Sequence, residues 1–327
     1  MPQIQVIKPV DGELLNRSNG VEGKDALQIR LAPDEPPVEL RALLNRITVD
    51  GREITVLWDR SSFPRYSFFI DDNMYWLEEI HSSAPKSVFE HFYLSRLRQM
   101  HRKYGAKFLL NLFYHNHDHS FTLAMFSDRW KAEFEGNSDW LRLSFHAAGA
   151  QPHHPYGACD TAVLMADYDK LCCEVERFAG GASFQPPQIL HWYDTTEAGR
   201  KFLVSKGVRC LGEWGAVFDN MSIESGHAVI AFRESAEVPI LRMPVEFFCN
   251  CLTPDKIQER LNGLTKDYIN IGTHEQYFYH YYDGYIADHF DRVDAVLSHL
   301  TKSGYKSVWA GTGIFGNTRW EQAQEKP

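Results

Sequence analysis

The stretch Phe68-Phe69-Ile70-Asp71-Asp72-Asn73 decides the fold. An apolar run over 66–70 ends abruptly in two adjacent carboxylates. A strand buried on both faces reads as an unbroken apolar run, which is the mark of a parallel sheet. Acids delivered at the tip of such a strand are costly to bury unless they have a task. Outward from this stretch the pattern recurs: an apolar strand-like run, then a histidine or an acid at its end.

Further runs of this kind lie at 106–114 (AKFLLNLFY), 141–146 (LRLSFH), 188–192, 208–214, 268–273 and 306–309. Between them the apolar spacing turns helical, at 87–104, 161–178, 195–206 and 288–302. Ser127-Asp128 can cap a shorter helix reaching 135, and Thr253-Pro254-Asp255 opens another. Seven strands alternating with helices predict an α/β fold with a parallel sheet. Polar residues at several strand ends favour a seven-stranded (β/α) barrel over an open sheet, because the C-terminal rim of such barrels carries the chemistry.

The barrel is expected over 63–327. Residues 1–62 read as a small β-rich N-terminal extension. It holds an acid and proline cluster at 33–37 and a hairpin signal, Asp50-Gly51, between the runs 47–49 and 54–57. The segment 215–248 breaks the rhythm, and its runs at 228–232 and 240–243 predict an inserted β-hairpin.

The 327 residues are 44% hydrophobic and 24% charged, enough for a large core. The net charge of −9 disfavours nucleic acid and anionic membrane as partners, since both seek a basic face. It suits a neutral carbohydrate or another small polar substrate and leaves room for a homo-oligomer. The N-terminus shows no basic region followed by an apolar core, and the six cysteines have neither disulfide-framework nor zinc-knuckle spacing. A cytoplasmic protein with reduced thiols is the expectation.

The strand ends, taken in order, carry Asp71-Asp72, His115, His146, His191, Glu213 and His274-Glu275. One carboxylate with two imidazoles and an open position is a catalytic zinc pattern, and Asp72, His146 and His191 can supply it. Side chains alternate along a strand, so adjacent acids face opposite ways unless the strand ends between them. At such an end one acid can bind a metal while the other serves as base. The tract His115-Asn116-His117-Asp118-His119 reads as a solvated loop. His153-His154-Pro155-Tyr156 follows His146, with His154 and Tyr156 as candidates to reach the site. Trp192 and Trp214 stand beside rim residues, where aromatic rings suit the C–H faces of sugars. No glycine-rich phosphate loop or Gly-x-Ser-x-Gly elbow occurs, and His274-Glu275 lacks the second histidine of a metalloprotease helix.

Through Phe69-Ile70-Asp71-Asp72-Asn73, Ser144-Phe145-His146 and Thr273-His274-Glu275, the chain resembles the polysaccharide deacetylase (NodB-like) family. The likeness covers roughly 63–311. It implies a seven-stranded barrel, a divalent metal such as zinc, and removal of acyl groups from a carbohydrate. It further implies Asp71 as general base, Asp72 and His146 as metal ligands and His274 as general acid, with Glu275 beside it. Where the family places a second ligand histidine, four residues after the first, this chain has Ala150. Either His191, His153 or His154 replaces it, or the metal is lost. His154, Tyr156, Trp192, Glu213 and Trp214 are the expected substrate contacts. Two other functions stay open: a catalytically inactive carbohydrate-binding barrel, and a glycoside hydrolase using two rim carboxylates, Asp71 with Glu213 or Glu275.

Overall fold

The computed structural model describes residues 64–208, 210–213, 241–264 and 268–310, with short strands at 5–9, 27–30, 38–40, 44–49, 52–57 and 232–234. Five strands precede the barrel: β1 (Gln5–Pro9), β2 (Leu27–Arg30), β3 (Val38–Leu40), β4 (Leu44–Val49) and β5 (Arg52–Leu57). β4 and β5 pair antiparallel, as the Asp50-Gly51 signal predicts; the turn itself lies outside the described residues.

The main body begins with β6 (Arg65–Asn73), α1 (Tyr75–Ser83), α2 (Phe92–Tyr104), β7 (Phe108–Phe113), α3 (Lys131–Glu135) and β8 (Leu141–Ala147). Next come α4 (Thr161–Ala179), α5 (Glu197–Ser205), β9 (Cys210–Glu213), β10 (Phe232–Glu234), β11 (Leu241–Pro244) and β12 (Phe247–Phe248). Last are α6 (Pro254–Asn262), β13 (Tyr268–His274), α7 (His289–Lys302) and β14 (Lys306–Ser307). Among the described residues no helix is long and apolar enough to cross a membrane.

Backbone hydrogen bonds close these strands into a ring. β13, β6, β7 and β8 pair side by side in parallel. β8 passes to an irregular stave through a parallel bridge between Leu143 and Phe184 and the 2.9 Å bond from Gln185 N–H to Leu143 O. Gly212 N–H donates to Gln188 O, which joins β9 to that stave. β11 pairs with β9 in parallel, and β12 returns to β13. The α/β barrel therefore has seven parallel staves: β6, β7, β8, the 184–190 segment, β9, β11 with β12, and β13.

Three of the expected strands differ. Of the run 240–243, residues 241–243 belong to the sixth stave rather than a hairpin; of the run 228–232 only Phe232 lies within the described residues, in β10, which pairs antiparallel with β5 of the N-terminal region. Pro244 splits the sixth stave, which disguised it as an excursion. The run at 306–309 forms only the two residues of β14, wedged between the starts of β6 and β7. It pairs with Arg65 and Tyr66, while Ser307 Oγ accepts the Lys107 N–H at 2.9 Å. The fourth expected strand ends early, in a 3-10 turn over His191–Tyr193.

The core has two layers. Tyr66, Phe68 and Ile70 point outward into the large cluster shared with the helices. Phe69 points inward and packs with Leu109, Ile189, Val245, Phe248 and Trp309 inside the ring. Gly272 makes this possible: a β-carbon there would lie 2.2 Å from the Phe69 ring. This inner plug forms the floor beneath the rim.

Candidate functional site

Strand alternation places Asp71 on the inner face with Phe69, so Asp72 should point outward. It does not. Asp72 adopts a left-handed backbone, with φ 61°, at a register break between β6 and β7. This irregularity turns a second carboxylate onto the rim, as β-bulges beside active sites do. Asn73 holds the bend: its Nδ2 donates to Ile70 O at 2.6 Å, and its Oδ1 accepts the Tyr93 hydroxyl at 3.1 Å.

His146, at the end of β8, and His191, at the 3-10 turn, complete a triangle with Asp72. Asp72 Oδ1 lies 3.3 Å from His146 Nε2 and 3.5 Å from His191 Nδ1, and the two nitrogens are 3.3 Å apart. Tetrahedral zinc with ligand bonds of about 2.05 Å separates its ligands by ~3.3 Å, so the spacing fits such an ion. Asp72 Oδ1 is buried without a hydrogen-bond partner, a donor atom in want of a cation. The outer nitrogens are fixed as well. His146 Nδ1–H donates to Ile189 O at 3.3 Å, and His191 Nε2–H donates to Ala150 O at 3.2 Å. Both lone pairs then face the Asp72 oxygen, the arrangement that outer-shell acceptors enforce at metal sites. Ala150, where the family has a ligand side chain, contributes a carbonyl that orients His191. His153 and His154 lie instead against the Trp192 ring, at 4.7 and 5.0 Å.

Electrostatics agree with this division. Burial works against the Asp72 carboxylate, but His146, His274 and His191 overcome it and hold Asp72 well below the usual range. Burial pushes Asp71 up, against His146 and His274, and Asn111 Nδ2 donates to its Oδ1 at 2.7 Å. Burial lowers His146, yet Asp71 and Asp72 together carry it above the ordinary histidine value. Burial and the neighbouring His146 push His191 down to about 4. The carboxylates are therefore unequal, Asp72 a committed anion and Asp71 more willing to take a proton.

His274 ends β13, in register with Asp71, and its ring stacks on Phe248 at 4.9 Å. Its Nδ1 lies 3.0 Å from Asn250 Oδ1.

Three expected site residues do not join the rim chemistry. Glu275 is fully buried and caps α1: its carboxylate accepts the N–H groups of Met74, Tyr75 and Trp76 at 2.6, 2.9 and 2.8 Å, and the Tyr279 hydroxyl at 2.8 Å. That replaces its expected catalytic role. Tyr156 is also buried; its hydroxyl accepts the Ala148 N–H and donates to Asp167, bracing the loop after β8 rather than meeting a substrate. His154 stands 3.7 Å from Asp194 and beside Trp192. The backbone of Glu213 lies in β9, while its side chain and Trp214 fall outside the described residues.

Sequence reasoning missed Asn111, Asn250 and Gln276. Gln276 Nε2 donates to Asp72 Oδ2 at 2.9 Å, leaving Oδ1 for the triangle. A signal existed for Asn111, the single polar residue within Leu109-Leu110-Asn111-Leu112. The partners of Asn250 and Gln276 are set by folding alone.

No family model and no curated protein matches the chain. Solved structures similar to it include a Streptococcus mutans CE4 esterase, 10% identical, covering 76% of this chain and 87% of that one at a TM-score of 0.43. Another is the peptidoglycan deacetylase PdaC from Bacillus subtilis, 9% identical, covering 80% and 95% at 0.41. A third is the 4-alpha-glucanotransferase from Thermococcus litoralis, 10% identical, covering 75% of this chain and 39% of that one at 0.48. The barrel assignment rests on the closed ring of hydrogen bonds rather than on these scores. In that barrel, in Asp71, Asp72 and His146, and in His274, the chain resembles the polysaccharide deacetylase (NodB-like) family.

Proposed function

We propose that this protein is a metal-dependent hydrolase that removes acyl groups, such as acetyl, from a carbohydrate. The observation that carries the proposal is the triangle of Asp72 Oδ1, His146 Nε2 and His191 Nδ1, with Asp71 at one side and His274 in register with it. Asp72, His146 and His191 would hold a divalent cation, with zinc the best fit to the donor set, and such an ion would lower the pKa of water toward ~7 and stabilise negative charge on an acyl oxygen. Asp71 takes the proton of the attacking water, with Asn111 fixing its carboxylate. His274 delivers a proton to the departing amine or alkoxide. Trp192, 42% exposed beside His191, offers a flat apolar face to a sugar ring.

Capping by Glu275 weakens the glycosidase alternative, because it removes one of the two partners available to Asp71. The test is elemental analysis joined to acetate release from acetylated amino sugars and xylan. Near-stoichiometric divalent metal with metal-dependent acetate release supports the proposal. A protein that takes up no divalent ion, or that hydrolyses glycosidic bonds instead, refutes it.

A further inference from the structure

We infer that Asn250 is the positioning residue of His274, fixing its proton on Nδ1 so that Nε2 alone exchanges protons. The catalytic consequence rests on the hydrolase proposal; the positioning does not.

The inference follows from hydrogen-bond polarity along a buried chain. His289, at the start of α7, is buried, and its Nδ1 has no partner. A buried N–H without an acceptor is costly, so the single proton of neutral His289 sits on Nε2. That nitrogen lies 2.7 Å from Thr273 Oγ1, which must therefore accept from it. The Thr273 hydroxyl then has its own proton to give, and it donates to Asn250 Oδ1 at 3.2 Å. Asn250 thus presents its oxygen rather than its amide nitrogen, which turns toward Cys251 Sγ at 3.5 Å. His274 Nδ1, 3.0 Å from the same oxygen, has to be the donor.

Phe248 completes the clamp by stacking on the imidazole at 29°. Asn250 Oδ1 accepts from Nδ1–H whether or not Nε2 is protonated. The ring can therefore gain a proton at Nε2 and return it to a leaving group without turning over. An amide acceptor leaves no net charge behind when the ring is neutral, unlike a carboxylate.

The test is the tautomer of neutral His274, read by nitrogen NMR of the metal-free protein at alkaline pH, alongside kcat, KM and metal content. Wild type and Thr273→Ser should show the Nδ1–H form. Asn250→Ala and Thr273→Val should lose it, with kcat down by about 10-fold or more, KM and metal content unchanged, and the Ser variant restoring activity. An Nε2–H signature in wild type, or an Nδ1–H form that survives Asn250→Ala, overturns the inference. If wild type releases no acetate from any acylated sugar, the hydrolase proposal fails while the tautomer still reports on Asn250.

Discussion

His191 Nδ1 stands 3.3 Å from His146 Nε2, each with its opposite nitrogen donating to a backbone carbonyl. Two lone pairs at that distance repel, and two protons would collide. Only a shared proton or a cation satisfies both together with the unpartnered Asp72 Oδ1.

Removing one corner of this triangle should cost more affinity than losing an outer hydrogen-bond partner, which is typically worth about 10–100-fold. For His191→Ala, calorimetric titration with zinc should show a drop beyond that range. Unchanged affinity would return the third ligand role to His153 or His154.

Asp71→Asn should leave metal content intact and lower kcat by about 10²–10⁴-fold, the usual span for a lost general base. Acetate release measured on metal-loaded variant protein decides this. Retained turnover would exclude Asp71 as the base.

Glu275→Gln should act on stability rather than chemistry. It replaces a buried carboxylate that accepts four hydrogen bonds by an amide whose NH₂ faces backbone N–H donors. A loss of about 2–4 kcal/mol in urea unfolding is expected, with metal affinity of the folded protein unchanged. Wild-type stability with lost activity would restore a catalytic role.

His289 makes the fold sensitive to acid. Burial and the nearby Arg292 push its pKa down to about 3, against 6.5 in the unfolded chain, while Asp288 works the other way. The folded state binds fewer protons between those values. Its stabilising contribution is therefore complete above pH 6.5 and is lost as pH falls toward 3, by about 1.4 kcal/mol per pH unit. His289→Gln, which keeps a donor for Thr273, should flatten the stability profile between pH 6 and 4. An unaltered slope would assign the acid sensitivity elsewhere.

Much of the rim was legible because strand ends announce themselves: an apolar run stopping at Asp71-Asp72, His146, His191 or His274 is a local signal. What failed was anything whose partner is remote. The α1 helix went unseen because Met74 offers no side-chain cap, and the cap is Glu275, brought in from the end of β13. Glu275 and Tyr156 looked functional for the same reason, being polar groups whose buried partners are set only by folding. The sixth stave was misread because Pro244 interrupts it. Ala150 stands where the family has a ligand side chain, and its carbonyl instead orients His191, the candidate for that place.

The left-handed backbone at Asp72 sets selection for robustness against selection for turnover. Glycine occupies that conformation freely, whereas a residue with a β-carbon strains by about 1–3 kcal/mol there. Asp72→Gly would relieve that strain but forfeit a carboxylate that His146, His274 and His191 hold ionised. A library screened only for heat tolerance in chelator should therefore tolerate glycine at position 72 to the extent that backbone relief offsets the lost histidine contacts. The same library screened with zinc present should keep aspartate, so the identity of residue 72 would record which condition did the choosing.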